Sequence, residues 1–485
     1  MLRKLALLAL TPAVAAAQNG MPEPVAQALR AAGIPTTSVG LVVQEVGAVR
    51  PGVALNEALP LNPASVMKLV TTYAGLEILG PAYRWKTEAY AAGPVANDVL
   101  SGDLVLKGYG DPKLVLEDFW LLLKNIRERG VREVRGDLVL DRTYFAQADY
   151  DPARFDAEPL RPYNVGPDAL LVNFKAVRFQ FVPQPESGSV RIVAEPRPHP
   201  LEVVNVLKLS NAPCGDWRRD LRPDFQPAAA GRPAFNAIFT GSYPASCGEK
   251  DWNIALFNHA NYVGGLFRQL WEESGGAWAG SVKSERMPAN ARLIYSQPSR
   301  PLTEIVRDIN KFSNNVMARQ LYLTLAAEAT KQPARTDAAL QAVRSWLSQK
   351  GLEMPELVIE NGSGLSRVER ISAQSLARLL VSAFQSASMP EFMASMPLVA
   401  VDGTMRRRLK GEGVAGQAHI KTGTLNDVRA IAGYILDRKG ARHVVVFIIN
   451  HPNAGNGQSA QDALLRWVYA ADENGAGCCA RSVQR

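Results

Sequence analysis

Histidine and cysteine are both scarce in this chain. The five histidines, His199, His259, His419, His443 and His451, form no His-x-x-x-His pair, and the four cysteines have no zinc-site spacing. No metal centre and no cofactor is therefore expected. A Gly-x-Ser-x-Gly elbow is missing and no Ser-His-Asp grouping is evident, so a serine would need another means of activation. Beyond the first twenty residues no apolar run of about 20 residues is free of charge, so no integral membrane span is expected. There is also no Lys/Arg-rich block of the kind that grips nucleic acid; the formal charge of +8, from 54 basic and 46 acidic residues, is spread along the chain. Such a balance suits a solubilising surface beside a polyanionic neighbour, with no nucleic-acid partner.

What is present begins with a leader. "MLRKLALLALTPAVAAAQNG" has a basic start at Arg3 and Lys4, an apolar run and the small-residue pattern Ala15-Ala16-Ala17. This is the signature of a secretory signal peptide over residues 1–17, cut after Ala17, and it predicts a periplasmic or other extracytoplasmic protein. An oxidising compartment predicts a disulfide between Cys214 and Cys247, which sit inside the irregular stretch "NAPCGDW…GSYPASCGEK". Cys478 and Cys479 sit together in a Gly/Ala-rich tail without an assignable role.

At 485 residues the chain is too long for one compact core. "TTSVGLVVQEV" reads as a strand with "GVALNE" as a hairpin partner, and "LNPASVMKLVTTYAGLEILGP" reads as a helix stopped by Gly80-Pro81. Asn62 is a candidate N-cap there, and Ser65 and Lys68 fall three apart on one face. From 84 to 290 the texture changes to short β-like runs broken by Gly, Pro and Asp, with "GDLVL" occurring at 102–106 and 136–140. Helical pattern returns in "LTEIVRDINKFSNNVMARQLYLTLAAEA", two runs joined at "KFSNN". "HIKTGTL", "RAIAGYIL" and "RHVVVFIIN" then read as three strands, and "SAQDALLRWVYAAD" as a closing helix. The simplest assembly is a sheet built from both ends of the chain and covered by helices. The expected domains are thus 18–83 with 291–485, and an insertion at 84–290 divided near 160 into 84–160 and 161–290.

A lone Ser-x-x-Lys is a weak signal, and its company strengthens it. Ser313, Asn314 and Asn315 open a predicted helix, and Lys421, Thr422 and Gly423 lie on a predicted strand. Ser65 would need a base, and Lys68 could serve if neutral. Lowering a lysine from about 10.4 to about 7 takes roughly 4–5 kcal/mol, which burial and a second cation, Lys421, can supply together.

"SVMK", "SNN" and "KTG" resemble the three motifs of the penicillin-recognising serine enzymes, the penicillin-binding proteins and serine β-lactamases. "GDLVLKGYGDP", "PYNVGPDAL", "GSYPASCGE", "NGSGLSR" and "HIKTGTL" narrow the resemblance to the D-alanyl-D-alanine carboxypeptidase/endopeptidase group, the low-molecular-mass class C penicillin-binding proteins. It extends over nearly the whole mature chain and includes the roughly 240 residues between the first and second motifs, an interval too long for a plain loop. Tyr109 in "GYGDP" departs from the glycine frequent in relatives.

The resemblance implies an α+β fold, a β-lactamase/transpeptidase-like domain of antiparallel sheet and flanking helices with a large β-rich insertion. It implies Ser65 as nucleophile, Lys68 as base, Ser313 as proton relay and Asn315 as a holder of the substrate amide. Lys421 and Thr422 would bind the terminal carboxylate, Gly423 would allow close approach, and the N–H groups of Ser65 and Thr424 would form the oxyanion hole. Arg367 in "NGSGLSR" resembles a family position near the substrate's side chain, and its competing reading is a structural salt bridge. The implied partners are peptidoglycan stem peptides, with β-lactams as covalent inhibitors. A β-lactamase and a non-catalytic wall-binding scaffold are the competing readings. The missing Glu-x-x-Leu-Asn phrase disfavours the first, and the intact motif residues disfavour the second.

Overall fold

The strand Arg442–Asn450 shows how the catalytic domain is layered. Successive side chains point to opposite faces of a strand. Val444, Val446 and Ile448 enter one apolar core while Val445, Phe447 and Ile449 enter another, so this strand is apolar without alternation because both faces are covered. The computed structural model describes residues 20–227 and 235–470. The leader at 1–17 and the Cys478–Cys479 pair lie outside the described residues.

Five antiparallel strands form the sheet, in the order Ala418–Leu425, Val428–Leu436, Arg442–Asn450, Val39–Glu45 and Val53–Leu55. Both chain ends meet in it, as expected, through the register Val39↔Ile449. Helices Glu23–Ala31 and Gln458–Ala470 cover one face through Val25, Leu29, Leu464 and Val468. The other face carries helix Ala373–Phe384 and, behind it, the helices Lys68–Leu79 and Asn315–Thr330. These last two are apolar around much of their circumference, which marks them as central helices. Gly75 permits their contact, since a Cβ there would lie 3.0 Å from Leu321.

The insertion differs from the expected layout in two ways. Strand Arg292–Pro298 pairs with Lys86–Ala92, so the inserted sheet runs to Pro298 and the return at 291 is corrected to Ser299. Its parts are also nested, not serial. Strands Lys86–Ala92, Asp103–Gly108, Leu138–Asp141, Val282–Lys283 and Arg292–Pro298 form one sheet, and a smaller one joins Val95–Ala96, Val99–Leu100, Glu133–Val134 and Ala277–Trp278. The segment 177–254 forms a separate sheet between these parts, so the division near 160 is replaced by one unit set inside another. Helices Leu116–Glu128 and His259–Glu273 join an otherwise β-rich insertion. The repeated "GDLVL" becomes two parallel neighbouring strands in equivalent register, Leu104↔Leu138 and Leu106↔Leu140.

Candidate active site

The turn bearing Ser65 is not the first turn of an α-helix. Residues Ala64–Met67 form a 3₁₀ turn, and the α-helix starts at Lys68. Asn62 does not cap the helix; its Oδ1 accepts from Ala64 N at 2.8 Å, closing a turn that holds Ala64 at φ +46°. This left-handed step tilts Ser65 out of the helical path while keeping it beside Lys68. The Lys68 ammonium donates to Ser65 Oγ at 2.9 Å, to Asn315 Oδ1 at 2.6 Å and to the carbonyl of Ser363.

Asn315 comes from the second motif. Asn314 caps the helix Asn315–Thr330 by accepting from Met317 N at 3.0 Å. Ser313 precedes the cap at φ +56°, which directs its side chain toward the third motif. There the Lys421 ammonium donates to Ser313 Oγ at 2.8 Å and to Thr422 O at 2.7 Å. Two short chains of polar contacts thus lie near each other, Ser313–Lys421 and Asn315–Lys68–Ser65, although 356 positions separate Ser65 from Lys421 (421 − 65).

Both lysines are completely buried. Burial is the first cause that drives Lys68 well below its usual pKa, and the charges of Lys421 and Arg319 push the same way against Glu369. Lys421 is lowered to about 7 by burial. Arg319 and Glu369 were not among the expected site residues. Arg319 lies one helical turn beyond Asn315 and donates to the carbonyls of Tyr163 and Val165 at 3.1 and 3.0 Å, which anchors the insertion's "PYNVGPDAL" segment beside the site. The i, i+4 spacing from Asn315 was the available clue to it. Glu369 and Ser363 belong to a loop whose shape has no short-range signal.

The strand Ala418–Leu425 is an edge of the main sheet. Ile420 N–H donates outward to Pro397 O at 2.8 Å, and Ala418 O accepts from Val399 N at 2.9 Å. Backbone groups alternate sides along a strand, so the N–H groups of Thr422 and Thr424 also face the open edge. The nucleophile turn lies against that edge. A Cβ on Gly423 would sit 2.4 Å from Pro63 O and 3.1 Å from Ser65 N, so only glycine allows the approach. Gly423, the residue before Thr424, thus lies directly against the backbone of Ser65. Thr422 Oγ1 contacts Thr404 Oγ1 at 2.8 Å.

Arg367 stands apart from this cluster. It is half exposed, 3.3 Å from Asp427 Oδ1 and 4.6 Å above the Phe155 ring. Cys214 and Cys247 are joined by a disulfide within the insertion. Among the described residues no group of His, Cys, Asp and Glu could hold a metal ion, and no helix is long and apolar enough to cross a membrane.

Comparison with known proteins matches this arrangement to one family along almost the entire chain. Residues 22–470 match the model of the D-Ala-D-Ala carboxypeptidase 3 (S13) family. The D-alanyl-D-alanine carboxypeptidase of Actinomadura sp. (strain R39) is 31% identical over 421 residues, covering 83% of this chain and 76% of that protein. The D-alanyl-D-alanine carboxypeptidase DacB of Haemophilus influenzae is 22% identical, covering 87% of each. The crystal structure of penicillin binding protein 4 from Haemophilus influenzae has the same fold, with a TM-score of 0.76 at 21% identity over 92% of this chain and 98% of that one. The chain belongs to the D-Ala-D-Ala carboxypeptidase 3 (S13) family, the low-molecular-mass class C penicillin-binding proteins, and is a serine hydrolase of that family.

Proposed function

We propose that this protein is an exported D-Ala-D-Ala carboxypeptidase of peptidoglycan stem peptides that also cleaves D-Ala-diamino-acid cross-links through the same acyl-enzyme. The observation that carries the reading is the contact of 2.9 Å between the Ser65 hydroxyl and a fully buried Lys68 amine whose pKa is driven down. A neutral Lys68 accepts the Ser65 proton as Oγ attacks the carbonyl of the penultimate D-alanine. The resulting oxyanion is stabilised by the N–H groups of Ser65 and Thr424, worth about 3 kcal/mol per donor. The scissile C–N bond then breaks. The leaving amine takes the proton that Ser65 gave to Lys68, relayed through Ser313; water then attacks the acyl group, and its proton passes by way of the neutral Lys68 to Ser65 Oγ.

Asn315 offers its carbonyl to Lys68 and keeps its amide N–H groups for the substrate. Lys421 and Thr422 fit the terminal carboxylate, whose negative charge offsets the burial that lowers Lys421. Export is supported by the leader pattern, and the Cys214–Cys247 disulfide suits an oxidising compartment. A relative's solved structure, penicillin binding protein 4 of Haemophilus influenzae, is complexed with a β-lactam. We extend that to this chain as covalent inhibition at Ser65.

Intact-protein mass spectrometry after brief exposure to benzylpenicillin tests the chemistry. A single penicilloyl adduct that maps to Ser65, lasts for minutes and disappears in Ser65→Ala is the expected result. Rapid loss of the adduct with turnover of the drug would instead indicate a β-lactamase. Release of free D-alanine and opening of cross-linked dimers, assayed together, separate the two peptidase activities.

A further inference from the structure

The loop that supplies the third acceptor for Lys68 carries a carboxyl group that the proposed chemistry does not use. Residues 358–371 are closed by an antiparallel bridge between Val358 and Arg370, with bonds of 2.9 and 3.0 Å. Inside, Glu369 is completely buried. Its Oε1 accepts from Glu360 N at 3.2 Å and Asn361 N at 3.1 Å, and its Oε2 has no partner. Those two N–H groups open the turn that presents the Gly362 carbonyl to Thr71 Oγ1 at 2.7 Å and the Ser363 carbonyl to the Lys68 ammonium. Asn361 completes the turn by accepting from Ser363 N at 2.9 Å and Ser363 Oγ at 2.6 Å. Glu369 thus braces the carbonyl that holds the amine.

The surroundings make its charge matter. Lys68 faces it from the helix Lys68–Leu79, and Arg319 and Tyr322 face it from the helix Asn315–Thr330. Glu360 faces it from its own loop, Arg344 lies beyond Tyr322, and Lys421 faces Lys68 from the strand opposite. Lys68, Lys421 and Arg319 are three buried cationic groups, and the charge acting on Lys68 against the other two is that of Glu369.

We infer that Glu369 is a positioning residue that shares one proton with Lys68 and so sets the pH at which that amine can act as a base. The inference rests on the reading of Lys68 as the base for Ser65. Two arrangements contain the same single proton: an ammonium with a carboxylate, and a neutral amine with a carboxylic acid. Only the second leaves Lys68 able to take the Ser65 proton. Burial favours it on both sides, since it drives Lys68 down and lifts Glu369 to about 7. Two groups coupled in this way titrate as a pair, so the acid limb of the rate profile rises in two steps instead of one.

The test is the pH dependence of the second-order rate of Ser65 acylation by benzylpenicillin, followed by mass spectrometry on the full chain. Glu369→Gln keeps an oxygen for the N–H groups of Glu360 and Asn361 and removes the charge. Without the carboxylate the ammonium is less favoured, so the acid limb narrows to one titration and moves down by about one pH unit, roughly tenfold faster acylation on the limb relative to each enzyme's plateau. Glu369→Asp, which restores the charge, brings the limb back toward the wild-type position. A profile for Glu369→Gln that coincides with wild type, in a variant melting within a few degrees of it, overturns the inference and leaves Glu369 as a loop brace alone. If wild type itself is not acylated, the underlying reading of Ser65 and Lys68 fails instead, so the two failures are distinguishable.

Discussion

The active site and the carboxylate cluster of the insertion treat buried charge in opposite ways. In the insertion, Asp168 receives the guanidinium of Arg142, and Asp141 accepts from Thr143 N and Oγ1 at 3.0 and 2.6 Å with Lys107 3.6 Å away. Burial would raise Glu88, yet bonds from Lys86, Tyr90 and Tyr109 outweigh it and hold the carboxyl below its usual range. Elsewhere in the insertion burial lifts Asp111 to about 7 and lowers Lys175 to about 8, and Arg127 Nη1 has no partner. In the catalytic domain burial wins at Lys68, Lys421 and Glu369, and both Arg319 Nε and Glu369 Oε2 lack partners. The structural cluster of Glu88, Asp141 and Asp168 settles its charges with partners. A reactive one leaves them unsettled, and the stability lost there is what makes a hydroxyl and an amine reactive.

That comparison is sharpest where the two motif segments touch. Gly423→Ala puts a Cβ 2.4 Å from Pro63 O, so the strand edge must move away from the nucleophile turn. The expected loss in acylation rate is about 10²-fold or more, because a displacement near 1 Å has that effect on aligned groups, while the insertion melts unchanged. Acylation kinetics with calorimetry check both halves; an alanine variant of full activity would refute the close approach.

Breaking the insertion should do the converse. The Cys214–Cys247 bridge closes a separation of 33 residues. Its removal in Cys214→Ser/Cys247→Ser is expected to lower stability by about 3–4 kcal/mol on the chain-entropy model. Acylation of Ser65 at low temperature should remain within twofold. A large drop in acylation at temperatures where the double variant is folded would show that the nested unit reaches into the chemistry.

The smallest expected change in stability has the opposite sign. Lys421→Met is expected to abolish turnover of D-Ala-D-Ala peptides yet raise stability by about 1–3 kcal/mol near pH 6. The folded pKa of Lys421, about 7, lies below the unfolded value of 10.5. Between these values the unfolded chain holds a proton that the folded chain lacks, so wild-type stability rises with pH across that window. The gain from methionine should therefore shrink toward pH 10, which melting curves at pH 6, 8 and 10 would reveal. A gain independent of pH would mean that Lys421 is not driven toward its neutral form.

How much of this was legible before folding depends on distance along the chain. The Ser65–Lys68 contact was readable because three positions return to one helical face, though the 3₁₀ turn at Ala64–Met67 was not, since it depends on the turn closed by Asn62. The strands "HIKTGTL", "RAIAGYIL" and "RHVVVFIIN" were readable from apolar pattern. The insertion's nesting was not. Strand Arg292–Pro298 carries no mark that it pairs with Lys86–Ala92 some 200 residues earlier, and local pattern says nothing of that closure. Arg319 was legible only as one more helical residue, and Glu369 as one more loop carboxylate, because burial is a property of the packed whole.

By itself, then, the sequence determined the local pieces: a hydroxyl and an amine one helical turn apart, a glycine on an edge strand, an asparagine beginning a helix, and an alternation that sends one strand's side chains into two cores. Each follows from the periodicity of the backbone over a few residues. Only the tertiary structure decided that Lys68, Arg319, Glu369 and Lys421 share one interior. Their altered protonation comes from lost water and mutual charge, and both require segments hundreds of residues apart to be packed together.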